Sequence, residues 1–290
     1  MEKLNGIVAS KQLNPNELEQ VRLLSQACLA HDGLRMKLNW NTLSERNSDE
    51  TNDFLMYQDG QIVGFLGLYS FGSAEVEVSG LIHPDYRRRG LFRSLLDRAI
   101  VESRNRKFSR MLLISPGSSE SGKAFVQQAN ASYSFSEYYM ERHNQAAPVI
   151  SEARTRLRTA TIDDAEILHK LNQSGFSMSY EESVEWVTGS LNSSDDINLI
   201  AELDGVPIAK LGVMLQPNQI FIFGFCVASE YQGKGHGRNI LKQTIAYGIE
   251  ELGQYNSALE VSVSNEGALG LYLSCGFQTV SSYDYFLIQL

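Results

Sequence analysis

Apolar and polar positions along the chain change period several times, and the changes occur in the same order twice. The stretches "DGQIVGFLGL" (Asp59–Leu68) and "DGVPIAKLGV" (Asp204–Val213) each place an Asp-Gly turn ahead of an apolar run, which predicts a hairpin. Next come "AEVEVSGLI" (Ala74–Ile82), which alternates as a strand with one buried face, and "QIFIFGFCV" (Gln219–Val227), whose near-uniform apolarity predicts a strand buried on both faces. The period then becomes helical. Leu241, Ile245, Ile249 and Leu252 recur at intervals of about four, and Leu96 and Ile100 repeat the first part of that stripe. Strands follow at "MLLIS" (Met111–Ser115) and "ALEVSVS" (Ala258–Ser264), then a short helix starting at Ser119 or Asn265. The tails "SEYYM" (Ser136–Met140) and "YDYFL" (Tyr283–Leu287) are expected to close their own repeats, and helices are expected at the front of each, in "NPNELEQVRLLSQACLAH" and "TIDDAEILHKLNQSG".

Between strand and long helix the two halves carry one loop. "PDYRRRGLFRSLLDRAI" (Pro84–Ile100) and "SEYQGKGHGRNILKQTI" (Ser229–Ile245) align without a gap at a spacing of 145, with Tyr86 on Tyr231, Gly90 on Gly235, Arg93 on Arg238 and Leu96 on Leu241. Phe92 stands where the second copy has Gly237. The pattern predicts two α/β domains of one fold, residues 1–143 and 156–290, joined by a linker at 144–155 that has a proline, small residues and no sustained period.

Composition narrows the class. A chain of 290 residues with 43% hydrophobic and 20% charged residues is that of an ordinary globular protein. No apolar run approaches the roughly 20 residues a membrane helix needs, so no membrane partner is expected. "MEKLNGIVASKQLN" lacks an apolar core of signal-peptide length, and a reducing cytoplasm is expected. Cys28, Cys226 and Cys275 show no CxxC spacing and the histidines are scattered, so neither disulfides nor a metal site are expected. Residues 1–145 carry 17 Lys and Arg against 17 Asp and Glu, whereas residues 146–290 carry 8 against 17, so the whole net charge of −9 lies in the second half. That disfavours a nucleic-acid partner for the second half.

A strand running through a glycine-bearing turn into a helix makes an anion site, because backbone N–H groups at the helix start point outward and the helix dipole favours negative charge. In the second copy Gly233, Gly235 and Gly237 alternate with Lys234 and His236, so several N–H groups can face one ligand. A tight turn without any ligand would satisfy the same glycines.

The wider sequence is more specific. "VASEYQGKGHG", followed about 30 residues later by "LEVSVSNEGALGLYLSCGF", resembles the GNAT superfamily of N-acetyltransferases. Gln232, Gly235 and Gly237 fit that family's Gln/Arg-x-x-Gly-x-Gly/Ala loop, and Asn265, Ala268, Tyr272, Gly276 and Phe277 fit its later motif. The resemblance implies two tandem α/β (α+β) GNAT-fold domains, each a mixed, mostly antiparallel sheet flanked by helices. It implies acetyl-CoA as donor and direct transfer to an amine acceptor. Phe225, Cys226 and Val227 would then give strand backbone to the pantetheine arm, Gly233, Lys234, Gly235, His236, Gly237 and Arg238 would hold the pyrophosphate after Gln232, and Asn265 would lie near the cofactor. Asn265 can equally be a helix cap, and Cys226 a small apolar strand residue rather than a nucleophile.

The same resemblance makes Tyr272 the proton donor to the leaving thiolate, with a core aromatic as the competing role. "LEVSVSN…LY" looks like the ribosomal-protein N-terminal acetyltransferases of the superfamily, which have a glutamate twelve residues before that tyrosine. Glu260 has this spacing and is the expected base, with a structural ion pair as the alternative. The first copy departs from the motif, with Val126 opposite Tyr272, Ser119 opposite Asn265 and Asn130-Ala131 in place of Gly276-Phe277. It is therefore expected to be degenerate. Glu181, Glu182, Glu185, Asp195 and Asp196 near the front helices point to a cationic acceptor, or to a solvated acidic face. A protein N-terminal acetyltransferase and a non-catalytic acyl-CoA-binding scaffold are the alternative functions.

Overall fold

The computed structural model describes residues 3–70, 74–143, 146–150, 155–176, 178–193 and 196–290, except for the side chain of Glu185. The chain forms two compact units, residues 1–136 with 281–290, and residues 137–280.

The first unit runs β1 (Gly6–Ser10), α1 (Pro15–Asp32), α2 (Trp40–Glu45), β2 (Asp53–Gln58), β3 (Gln61–Tyr69), β4 (Glu75–Ile82), α3 (Leu91–Asn105), β5 (Arg110–Pro116), α4 (Glu120–Gln128) and the start of β6 (Ser132–Arg142). α1 starts where Asn14 accepts from the backbone N–H groups of Asn16 and Glu17, with Pro15 in the first turn, and it stops at Gly33 with φ of 68°. The hairpin β2–β3 turns on Asp59 and Gly60, both at positive φ, as a two-residue turn matched to strand twist requires. β1 to β4 pair antiparallel in order, and β4 pairs parallel with β5. Leu95, Leu96 and Ala99 of α3 pack on one face of this sheet, Val21, Leu24 and Cys28 of α1 on the other.

The second unit repeats the plan with β7 (Thr155–Thr159), α5 (Ala165–Phe176), α6 (Tyr180–Asn192), β8 (Asp196–Leu203), β9 (Val206–Gln216), β10 (Gln219–Val227), α7 (His236–Glu250), β11 (Ser257–Ser262), α8 (Glu266–Ser274) and the start of β12 (Gln278–Gln289). β7 to β10 are antiparallel neighbours and β10 meets β11 in parallel. Ile240, Leu241 and Ile245 of α7 and Tyr272 of α8 share a core with Leu259 and Val261 of β11. α5 covers the opposite face, held against α6 by Ser183, which hydrogen-bonds His169 at 3.1 Å and Asn172 at 3.0 Å.

The tails do not close their own repeats. Residues 137–142 of β6 pair with β11 in the second unit, and residues 283–289 of β12 pair with β5 in the first. Both tails are alternating, aromatic-rich strands. That pattern decides which face is buried and leaves the choice of partner edge open. No helix among the described residues is long and apolar enough to cross a membrane.

Candidate active site

β10 is paired on both sides only as far as Ile222, whose register partner on β11 is Leu259. Beyond it the strand leaves β11, so the backbone from Phe223 to Val227 loses its parallel neighbour. Phe223 and Phe225 are accordingly half-buried, and so is Phe221 within the paired part, where the sequence predicts a strand buried on both faces. The register with β9 also slips. Phe223 pairs with Gly212 but Cys226 with Lys210, which leaves one extra residue in β10. Gly224 sits in this bulge at φ of 57°. The bulge inverts the alternation, so Phe225 and Val227 turn to the α7 face while Cys226 turns to α5. The Cys226 thiol lies 3.4 Å from the Leu171 carbonyl, and burial pushes its pKa up, so it is a packed thiol rather than a thiolate.

The loop after β10 carries positive φ at Gly233 (71°) and Gly235 (83°), and α7 begins at His236 without any side-chain cap. The first intrahelical bond of that turn runs from Asn239 N–H to Gly235 carbonyl, so the N–H groups of His236, Gly237 and Arg238 precede the helical ladder. Gln232 braces the loop by donating to the Val227 carbonyl at 2.8 Å, and Lys234 donates to the Glu230 carbonyl at 2.7 Å. Arg238 donates to Ser274 at 2.9 Å, tying the start of α7 to α8. A Cβ on Gly237 would lie 3.0 Å from Leu271, 3.7 Å from Val227 and 3.9 Å from Phe225. The diverging strand, the bare helix start and this close-packed glycine thus come together. Such a cradle offers backbone donors to a diphosphate and an open strand edge to an amide-bearing chain, which are the needs of coenzyme A.

Tyr272 is 8% exposed on α8. Burial pushes its pKa up to about 12, so it holds its proton at neutral pH. Glu260 is half-buried, one residue past the last β10–β11 pair, with Tyr139 as its register partner on β6. Since Leu259 and Val261 face the α7 core, Glu260 faces the other side, where Tyr139 stacks on Phe221 at 6.4 Å. Asn265 caps α8, accepting from the Ala268 N–H at 3.1 Å.

The sequence pattern of the Acetyltransferase (GNAT) family matches residues 20–125 and again residues 165–277. The chain belongs to the GNAT acetyltransferase family. Spermidine N(1)-acetyltransferase of Vibrio cholerae serotype O1 is 26% identical over 133 residues, 42% of this chain and 77% of that protein. A GCN5-related N-acetyltransferase from Sphaerobacter thermophilus superposes over 99% of this chain and 96% of its own with a TM-score of 0.81 at 17% identity. A tandem GNAT protein from the clavulanic acid biosynthesis pathway superposes over 98% of both chains, with a TM-score of 0.72 at 18% identity. At these identities the structures establish a shared fold only.

Within the first GNAT unit the corresponding place is filled. β3 and β4 pair without a slip through Ser79 and Gly80, so β4 has no bulge. Phe92 of α3 lies over Gly80, where an added Cβ would come 2.9 Å from its ring, and packs edge-on against Phe125 at 4.7 Å. The second unit reverses this arrangement, with Phe225 on the strand and Gly237 on the helix. Arg88 takes the place of Gly233 at φ of 63°.

Of the acidic residues near the front helices, Glu181 is exposed, while Glu182 is occupied with Ser179 in the capping box of α6. Ser190 donates to Asp196 at 3.4 Å. Asp195 and the Glu185 side chain lie outside the described residues. Sequence reasoning passed over Lys210. The lone cation of "IAKLG" lies at the centre of β9 and is 1% exposed.

Proposed function

We propose that the second unit transfers an acetyl group from acetyl-CoA to the amine of a small-molecule acceptor by direct attack. The observation that supports this most is the one-residue bulge that frees Phe225–Val227 beside the uncapped start of α7. In this reading Phe225, Cys226 and Val227 supply backbone to the pantetheine arm, while the N–H groups and side chains from Gly233 to Arg238 receive the pyrophosphate after the turn set by Gln232. Asn265 caps α8 beside the site.

When bound, acetyl-CoA supplies the acetyl group as an activated thioester. Glu260 takes the proton that an attacking ammonium must lose, directly or through water, from the face it shares with Phe221. Tyr272 supplies a proton to the departing sulfur from the α7 face, and its raised pKa keeps that proton in place until it is needed. Cys226 makes no covalent intermediate, because its thiol is buried against α5.

The spermidine acetyltransferase relative supports an amine acceptor. The twelve-residue separation of Glu260 and Tyr272 favours a second reading, acetylation of a protein N-terminus. An amine and peptide panel, followed by release of free coenzyme A, decides between them. Turnover confined to peptide N-termini favours the second, and no turnover with any acceptor favours a non-catalytic acyl-CoA-binding protein.

A further inference from the structure

The bulge in β10 opens on the α5–α6 face onto a buried amine. Lys210 of β9 is 1% exposed, and its Nζ has no hydrogen-bond partner among the described residues. Nζ lies 3.8 Å from the centre of the Trp186 ring on α6 and 5.1 Å from that of Phe176 at the end of α5. These rings attract a cation through their faces but accept no hydrogen bonds, so the three ammonium donors remain unfilled. The register partner across the sheet, Cys226, has a thiol that burial keeps neutral and so offers no counter-charge. Gly224 leaves the approach clear, since a Cβ there would lie 3.2 Å from Nζ and 3.0 Å from Trp186. Trp186 is half-buried and Phe176 is 42% exposed, so the amine is covered by two side chains rather than by backbone.

A buried ammonium without an anion destabilises a fold relative to an apolar residue of the same shape. Among the described residues nothing offsets that cost for Lys210. In the first unit the equivalent position on β3 is Phe65, fully buried, beside a β4 that has no bulge. Cation and bulge occur together in the unit that carries the candidate site.

We propose that Lys210 is the anion-recognising group of the acceptor pocket, and that the acceptor is an amine that also carries a carboxylate. This rests on the second unit being the acetyltransferase site. The carboxylate would pass between Trp186 and Phe176 to Nζ, which leaves the amine at the bulge where Phe225 begins. Desolvation lowers the Lys210 pKa only to about 8, so the group is mostly protonated at neutral pH and serves as a cation. A simple polyamine would bring a like charge to this point.

The test uses the full-length protein and acceptor pairs that differ only by the carboxylate, L-lysine with cadaverine and L-ornithine with putrescine. The amino acid of each pair is expected to exceed its decarboxylated partner in kcat/KM by about 10- to 100-fold, the scale of a charge-assisted hydrogen bond. In Lys210→Met that ratio is expected to collapse toward unity, with Lys210→Arg restoring part of it. Equal or better use of the decarboxylated amines, or an equal loss for both members in Lys210→Met, would overturn the proposal. A binding readout separates this from failure of the transferase reading. With Trp40→Phe, Trp186 is the sole indole. In the presence of coenzyme A its emission is expected to titrate with the amino acids and not with the diamines, and to lose that response in Lys210→Met. Wild type that acetylates none of these amines yet shows this titration would sink the transferase reading and keep Lys210 as an anion site. No titration by either class would sink the Lys210 proposal.

Discussion

Tyr272 and Lys210 are both displaced from their ordinary pKa by burial, in opposite directions of charge, and each displacement makes a measurable difference. Tyr272 is held neutral, so Tyr272→Phe is expected to lower kcat by about 10²- to 10⁴-fold with little change in coenzyme A affinity, as for loss of a general acid. Single-turnover rates with calorimetry check it, and unchanged chemistry would return Tyr272 to the core packing it also performs. Lys210 binds its proton less tightly folded (about 8) than its ordinary 10.5. Between those values the unfolded chain holds more protons, so stability rises with pH. Wild type is therefore expected to gain on Lys210→Met by up to about 3 kcal/mol between pH 7 and pH 10.5, and to be the less stable of the two at pH 7. Urea titrations of both proteins across that range check the sign. Asn265→Ala should destabilise by about 1 kcal/mol through loss of the α8 cap, whereas Asn265→Asp should keep the cap. If Asn265→Asp still weakens coenzyme A binding, the residue does more than cap.

At the scale of elements the proposed site rests on one extra residue in β10. Gly224→Ala is expected to cost about 1–2 kcal/mol for a side chain at positive φ, and more where its Cβ meets Trp186. Coenzyme A affinity should fall with it if the bulge is what frees the strand edge, and denaturation alongside calorimetry separates the two effects. The hairpins, the two long helices and their glycine loops were legible in the sequence because each is a local pattern, down to the Asp-Gly pairs at positive φ. The bulge was not. "QIFIFGFCV" aligns with "AEVEVSGLI" residue for residue, yet Ile220 and Ile222 take the places of Val76 and Val78 while Phe225 and Val227 take those of Gly80 and Ile82. A one-residue slip leaves composition and apolarity unchanged, and only pairing reveals it. Lys210 escaped for a related reason, because a single lysine in an apolar strand ordinarily reads as an edge position with its amine in water.

At the scale of the whole chain the repeats of sequence and the units of structure differ by their last strands. The first unit depends on residues 281–290, so truncation after Val280 is expected to strip β5 of one of its two neighbours, leaving β4, and to speed hydrogen exchange in β5 while β8 and β9 keep their protection. For the same reason the chain cannot be cut near residue 145 to ask which half binds, since the second unit needs Glu137–Arg142. The loop occurs twice, but the first unit packs Phe92 of its helix against Phe125, where the second has Gly237 close against Leu271. Isothermal titration of the intact protein with acetyl-CoA, comparing wild type, Gly237→Phe and Arg88→Ala, tests this most directly. One site per chain is expected, severely weakened by Gly237→Phe and retained in Arg88→Ala, and two equivalent sites, or binding that survives Gly237→Phe and disappears in Arg88→Ala, would contradict it.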